Sequence, residues 1–296
     1  MVEESILENR SQSKTKNNSP WRLAWEDFQK NRPALIGLIG LTLILIIILS
    51  APILAPYDPL KMDFTQMNQG PNSVHLCGTD DLGRDILSRI IWGGRQTLGV
   101  GMLSVLVGLV FGTMIGLISG YAGGWTDEII QRIVDIMLAF PSILLMLSIV
   151  TILGKGLLSI VFAVGLAYIP ITARFVRGNI LSIKNLEYVE AARALGAPGW
   201  WIIFRHILPN ILGSLIVFSS MILGGAVLVT AGLNYLGLGA APPSPEWGAM
   251  LNYGRNFLSV AWWMSVFPGA AIFLSSLSIF MIGDGLRDVF DPQARY

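Results

Sequence analysis

Long apolar runs without a charged residue are the feature that most constrains this chain. The clearest run, Ala34–Ala55, contains LTLILIIIL, and Leu98–Ser119 and Ile211–Leu238 are also free of charge. A helix needs roughly 20 apolar residues to cross the hydrocarbon core of a bilayer. Because backbone polar groups must be satisfied inside lipid, the runs predict an all-α membrane protein with about six transmembrane helices. The predicted spans are residues 34–55, 98–119, 133–153, 157–173, 211–238 and 261–282.

The composition argues against several other classes of protein. Apolar residues make up 53% of the chain and charged residues only 13%, against roughly 25% in an average soluble domain. A soluble enzyme of this length would need more charge to cover its surface. The net charge of +1 gives no basis for nucleic-acid binding, and a single cysteine, Cys77, cannot form an intrachain disulfide.

The distribution of lysine and arginine predicts how the spans are oriented. With the N-terminus inside, fourteen of the 20 Lys and Arg residues fall on cytoplasmic segments, so both termini are expected in the cytoplasm. Residues 1–33 form a cytoplasmic tail in which Trp21, Trp25 and Phe28 share one helical face, as in an interfacial amphipathic helix. A plain extension of the first span is an equal alternative. Residues 34–296 form the membrane domain.

Small residues repeat at every fourth position of the second predicted span. Such a stripe lets another helix approach closely, as in small-xxx-small packing between membrane helices. We therefore expect a close helix–helix contact along this face, with a right-handed crossing. The stripe consists of Ser104, Gly108, Gly112, Gly116 and Gly120.

Kinked and polar spans are consistent with a transport path. Pro141, Pro170 and Pro268 lie inside predicted spans, where each removes a backbone hydrogen bond and favours a kink. A kink that serves packing alone is an equal alternative. The candidates for lining a path come from the fifth predicted span, although helix packing is the more ordinary role for any one of them. They are Ser219, Ser220, Gly224, Thr230 and Asn234.

A patterned polar stretch, residues 174–210, connects the fourth and fifth spans on the predicted cytoplasmic side. Asn185 is a suitable N-cap, an acid at Glu187 suits the first turn, and Gly196 is a typical C-cap residue. The pattern predicts a short helix, Leu186–Leu195, whose alanines leave its backbone open to a partner. A rigid projection of this kind is what a mechanical coupling element requires.

The same stretch resembles the EAA signature of permease subunits of bacterial ABC importers. Glu190-Ala191-Ala192, Gly196 and the later Ile207-Leu208-Pro209 follow that pattern, but His206 stands where the signature has isoleucine. In that family the loop docks on the ATPase subunit and transmits nucleotide-driven motion. The resemblance therefore implies a set of coupling residues on the short helix. This set is Glu187, Glu190, Ala191, Ala192, Arg193, Ala194, Leu195 and Gly196.

Further segments narrow the resemblance to the C-type permease subunit of dipeptide and oligopeptide importers. They cover nearly the whole chain beyond residue 20 and include GTDDLGRDILSRIIWGGRQTL, YAGGWTDEIIQRIVDIMLAFP, RHILPN, PSPEWGAML and GDGLRD. The resemblance implies the type I ABC importer permease fold in a bacterial or archaeal cytoplasmic membrane. It also implies that this chain and a second homologous permease form a path for di- or oligopeptides. Similar systems carry nickel chelates, glutathione or antimicrobial peptides, which are alternative substrates.

The resemblance also implies the partners. Two ABC ATPase subunits would bind ATP and Mg, and an extracytoplasmic peptide-binding protein would deliver substrate to Pro56–Thr97 and Gly239–Val260. This chain lacks a GxxxxGK[ST] motif, so we expect a membrane subunit that is not itself an enzyme and holds no cofactor. An ion-coupled secondary transporter is the alternative class, although such a protein has no need of a docking helix.

The sequence gives no pattern for a metal or catalytic site. His75 and His206 lie on opposite sides of the predicted membrane, so they cannot share a metal ion. Asp80, Asp81 and Asp85 lack the spacing of an EF-hand calcium loop. We expect Asp80 or Asp81 to cap a helix that begins just after them.

Overall fold

The computed structural model describes residues 20–290, with side chains from Trp25 onwards. Every regular element in this range is helical, so the all-α prediction is confirmed. The remainder of the predicted N-terminal tail, the Trp21 side chain and the residues after Phe290 lie outside the described part. The helix that begins at Pro20 places Trp25 and Phe28 together, with their rings stacked 5.8 Å apart.

The α-helices follow one another with mostly short connections, and the longest ones cover residues 55–85 and 236–246. In chain order they are α1 (Pro20–Lys30), α2 (Arg32–Leu49), α3 (Ala51–Leu54), α4 (Ile86–Ala122), α5 (Gly124–Ala139), α6 (Ser142–Leu153), α7 (Leu157–Ile183), α8 (Glu187–Ala194), α9 (Gly199–Ile202), α10 (Leu208–Tyr235), α11 (Trp247–Gly254) and α12 (Trp263–Phe290). A π turn, Ile203–Ile207, joins α9 to α10 without a break.

Five helical segments of the described chain are long and apolar enough to cross a membrane. These are α2, α4, α7, the continuous segment Gly199–Tyr235, and α12. A sixth crossing requires α5 and α6 to act together, and these two helices are bent by 92° at the break between them. The prediction of one kinked helix over residues 133–153 is therefore wrong. Pro141 occupies the N-cap position of α6 instead of lying inside a helix, whereas Pro170 and Pro268 do lie inside helices, as predicted.

Several predicted spans also differ from the helices in length. Helix α4 begins at Ile86, well before the predicted start at Leu98, and α7 continues past the predicted end at Ala173 to Ile183. Hydropathy marks only the apolar part of a helix, whereas the polar turns at its ends are fixed by neighbouring segments. The membrane helices therefore project beyond the predicted apolar core at both ends of the bundle.

The small-residue stripe of α4 lies against α7. A Cβ added to Gly108 would lie 2.5 Å from Tyr168 Cβ, and one added to Gly112 would lie 2.5 Å from Thr172 Cβ. Carbon atoms in contact are normally about 3.5–4.0 Å apart, so a side chain at either position would push the two helices apart. All five residues of the stripe are buried, namely Ser104, Gly108, Gly112, Gly116 and Gly120.

Replacing one glycine of the stripe tests this contact. We expect Gly112→Leu to destabilise the bundle by about 1–3 kcal/mol or more, since overpacking forces backbone shifts. The matched control is Gly99→Leu on the same helix, because a Cβ at Gly99 meets nothing within 4 Å. Thermal unfolding of the detergent-purified variants, followed by tryptophan fluorescence, measures the difference. Equal melting temperatures for the two variants would contradict the packing role.

The bundle has two distinct ends. The end that carries α8 is called the EAA end below, and the end that carries the 55–85 connection and α11 is called the loop end. Part of the Gly239–Val260 segment is not at the surface, because Trp247 is 2% exposed and Glu246 is fully buried. The indole Nε1 of Trp247 donates a hydrogen bond to the Ile90 carbonyl at 2.8 Å. Helix α11 is therefore inserted between the membrane helices at the loop end.

Candidate functional site

The residue range of helix α8 nearly coincides with that of the predicted short helix. It covers Glu187–Ala194, one residue shorter at each end than predicted, and Leu186 rather than Asn185 occupies the N-cap position. Glu187 and Glu190 lie in its first turn, where the helix dipole favours negative charge. Gly196 has a φ of +81° and follows the helix as expected, and its N–H donates to the Arg193 carbonyl at 3.0 Å.

The two faces of α8 have different surroundings. Val189 is fully buried and Ala192 is 9% exposed, and both pack with Ile202, Ile207 and Ile211 in one apolar cluster. Ala192 therefore does not leave its backbone open to a partner, and we remove it from the docking candidates. The other members of the coupling set are exposed, and we call them the docking face. They are Glu187, Glu190, Ala191, Arg193, Ala194, Leu195 and Gly196.

Large apolar side chains on the docking face and beside it are also exposed. Leu195 at the end of α8 is 88% exposed, and Trp200 in α9 is 65% exposed. Contiguous apolar surface rimmed by charged groups is typical of a protein interaction site. The acids of the first turn and Arg193 supply that rim, so the EAA end offers a mixed apolar and charged surface.

The base beneath α8 is held by charged contacts that the sequence patterns did not reveal. Arg177 of α7 forms a bidentate pair with Asp127 of α5, with both N···O distances at 2.6 Å. Lys184 Nζ donates to the Gly120 carbonyl at 3.0 Å and so caps the end of α4. The ends of α4, α5 and α7 are thereby fixed together. Residues of opposite charge near the ends of consecutive spans are the sequence signal that could have indicated these contacts.

The structure separates the predicted path residues into two groups. Gly224, Thr230 and Asn234 are buried, and the amide of Asn234 donates to the Thr230 carbonyl at 2.9 Å. These three residues pack helices within the chain and do not face an open path. Ser219 and Ser220 are half-buried, and their hydroxyls donate to backbone carbonyls of the same helix.

At the loop end, the N-cap residue of α4 is Asp85, whereas Asp80 or Asp81 was predicted to cap this helix. The carboxylate of Asp85 accepts a hydrogen bond from the Ser88 N–H at 2.7 Å and lies 2.9 Å from Nδ1 of buried His75. Among the described residues there is no cluster of three His, Cys, Asp or Glu side chains that could hold a metal ion. The acids of this segment thus serve its internal hydrogen bonding.

Burial shifts the ionisation of three groups at the loop end. Desolvation raises the pKa of Tyr253 to about 12, aided by the 2.6 Å hydrogen bond that its hydroxyl donates to Asp81. Desolvation also raises the pKa of Glu246, against the opposing hydrogen bonds from the Ala249 N–H and the Thr97 hydroxyl. It raises the pKa of the Cys77 thiol as well. Glu246 and Tyr253 both form hydrogen bonds within the loop end.

The architecture as a whole defines a class of protein. The chain is a polytopic helical membrane protein with five or six candidate spans, and its short exposed helix α8 lies between α7 and the segment Gly199–Tyr235. Residues 112–296 match the family model described as binding-protein-dependent transport system inner membrane component, and residues 19–71 match the N-terminal TM domain of oligopeptide transport permease C. The chain belongs to the binding-protein-dependent family of inner-membrane permease subunits of ABC importers.

Individual relatives cover almost the whole chain. A glutathione transport system permease protein, GsiD, of Pectobacterium atrosepticum is 47% identical over 278 residues, or 94% of this chain and 92% of the relative. A dipeptide transport system permease protein, DppC, of Alkalihalophilus pseudofirmus is 46% identical over 277 residues, or 94% of this chain and 91% of the relative.

Solved structures share the fold. An inward-facing form of the MetNI methionine ABC transporter superposes on 70% of this chain and 98% of its own, with a TM-score of 0.55 and 22% identity. The predicted permease fold is therefore confirmed. At this level of identity the likeness concerns the fold alone.

Proposed function

We propose that this chain is one of two homologous permeases that import small peptides, driven by ATP hydrolysis on separate ABC ATPase subunits. The observation that carries the proposal is the docking face, an exposed helix on a rigid base that coincides with the EAA signature. Two ATPases would bind ATP and Mg, and this chain would hold no nucleotide. The docking face would fit a cleft on one ATPase and follow its movement.

The proposed function implies one orientation of the bundle in the membrane. The EAA end would lie in the cytoplasm, where the ATPases are, and both termini would lie there too. The excess of Lys and Arg on that side supports the same orientation. The loop end would face the binding protein, with the exposed parts of Pro56–Thr97 and Gly239–Val260 as its contact surface. Glu246 and Trp247 are excluded from that surface because they are buried.

Two substrate classes are supported. Dipeptides and oligopeptides are supported by the oligopeptide permease domain at residues 19–71 and by the dipeptide permease relative. Glutathione is the second candidate because a glutathione permease is 47% identical. Glutathione is itself a small γ-linked peptide, so a single path could accommodate both classes. The binding protein would then make the choice between them.

Reconstitution tests this function. The chain is coexpressed with its candidate partner subunits, purified through a tag on this chain, and placed in liposomes with the binding protein. We expect two ATPase subunits to copurify, and uptake of labelled dipeptide or glutathione to require internal ATP. Uptake without ATPase subunits, driven by an ion gradient alone, would overturn the proposal in favour of a secondary transporter.

A further inference from the structure

The junction between α9 and α10 is an unusual piece of helix. A π turn over Ile203–Ile207 interrupts the α-helical hydrogen bonding just before the fifth span. Such turns insert one extra residue and often occur at functional positions, since the insertion changes which way the following side chains point. Here Ile207 and Ile211 lie inside the apolar cluster beneath α8. His206 and Asn210, one turn apart, lie on the side of Tyr188.

Three rings meet at this junction, and we call them the ring cluster: Tyr188 of α8, Trp201 of α9 and His206 of the π turn. The imidazole centroid lies 4.8 Å from the Trp201 ring, in an edge-to-face arrangement at 68°, and 5.9 Å from the Tyr188 ring. Asn210 Nδ2 donates to the Tyr188 hydroxyl at 3.2 Å and also to the His206 carbonyl. The start of α10 therefore contacts one side chain of α8 through both a ring and an amide.

At position 206 an imidazole is less favourable than an apolar side chain if its only role is packing. Its Nε2 is buried and has no hydrogen-bond partner among the described residues. The EAA signature has isoleucine here, which would fill apolar space without an unpaired polar atom. An aliphatic side chain lacks the flat face and edge that give aromatic pairs a preferred geometry. A flat ring is therefore one property that His206 has and the isoleucine of the signature lacks.

We propose that His206 is a positioning residue that connects α8 to α10 through the ring cluster, so that movement of α8 is passed to α10. The inference rests on the proposed function, because it assumes that an ATPase moves α8. The aliphatic contacts of Val189 and Ala192 hold α8 against the bundle but have little preferred direction. The ring contacts and the Asn210 hydrogen bond are directional, so they connect a displacement of Tyr188 to the first turn of α10.

The test uses the full reconstituted complex and measures uptake and ATP hydrolysis together. We expect His206→Ala to lower the number of substrate molecules imported per ATP by about tenfold, while the ATPase subunits still copurify and still hydrolyse ATP. His206→Phe keeps a ring and should restore the ratio to within about twofold of the wild type. Arg205→Ala, on the same turn and exposed, is the matched control and should leave the ratio unchanged.

Tyr188→Ala tests the same contact from the other side and keeps the proposal falsifiable if His206→Ala fails to fold. Tyr188 is 42% exposed, so its truncation leaves no buried cavity. A normal import ratio in either alanine variant, or a ratio in His206→Phe as low as in His206→Ala, would overturn the role of the ring. If the wild-type complex shows no ATP-dependent uptake at all, the proposed function has failed instead.

Discussion

Charge reversal at Glu190 is expected to lower ATP-driven uptake strongly while the bundle remains folded. Glu190 is exposed on the docking face, and its side chain forms no hydrogen bond or ion pair with another described residue. Placing a cation in the first turn opposes the helix dipole by only about 0.3–1 kcal/mol, so folding should survive. A reversed charge facing a complementary partner surface costs several kcal/mol. Since each 1.4 kcal/mol is a factor of ten in affinity, we expect uptake to fall by about tenfold or more in Glu190→Lys.

The matched control for Glu190→Lys is Glu128→Lys. Glu128 lies on α5 at the same end of the bundle, and its side chain is 65% exposed, paired only loosely with Arg132 at 3.9 Å. The two variants change the net charge equally, so a general effect of charge would affect both. Uptake and ATPase copurification are measured for each. Equal loss in both variants, or normal uptake in Glu190→Lys, would remove Glu190 from the docking face.

Much of this fold follows from local rules that a sequence displays directly. A helix that crosses lipid satisfies its own backbone and needs a continuous apolar run, so runs such as Ala34–Ala55 predicted where the membrane helices lie. The glycine stripe of α4 could be recognised in the sequence for a similar reason, because its spacing defines one helical face whichever helix packs against it. The end of α8 was predictable because Gly196 readily adopts the positive φ that the turn requires.

Other features depend on contacts between distant segments and could not be predicted. Pro141 marks a break in the third span, but the 92° bend depends on how α5 and α6 pack on α7. Ala191 and Ala192 are alike in sequence, and only the position of Ile202 and Ile207 decides which one is buried. In the sequence, the polar residues of a span cannot be divided into those that face water and those that form hydrogen bonds within the chain. Thr230 and Asn234 belong to the second kind.

The charged centre of the loop end is a further non-local feature, and it connects residues 55–85 to the first turn of α4. Asp80 and Arg84 form an ion pair at 2.6 Å with side chains only 4% and 5% exposed. Arg89 approaches the same carboxylate at 3.9 Å. The second oxygen of Asp80 accepts hydrogen bonds from the backbone N–H groups of Leu82 and Arg84 at 2.9 Å each. One carboxylate thus satisfies two cations and two backbone donors.

Asp80→Ala is therefore expected to cost about 3–5 kcal/mol, the usual effect of removing one partner from a buried ion pair. The variant leaves the guanidinium groups of Arg84 and Arg89 buried beside each other without their shared anion. Asp80→Asn should cost less, since its amide oxygen can still accept the two backbone hydrogen bonds. Limited proteolysis of residues 55–85, with thermal unfolding of the whole chain, separates a local loss from a global one.

Glu128→Ala is the control for Asp80→Ala, because it removes a carboxylate from an exposed pair outside the predicted span of residues 133–153. Glu128 pairs with Arg132 at 3.9 Å, and the two side chains are 65% and 77% exposed. Exposed pairs contribute about 0–1 kcal/mol, so this variant should unfold close to the wild type. If Asp80→Ala and Glu128→Ala have the same small effect, the buried pair does not hold the loop end together. Its rigidity would then come from apolar contacts such as those of Trp247 and Trp263.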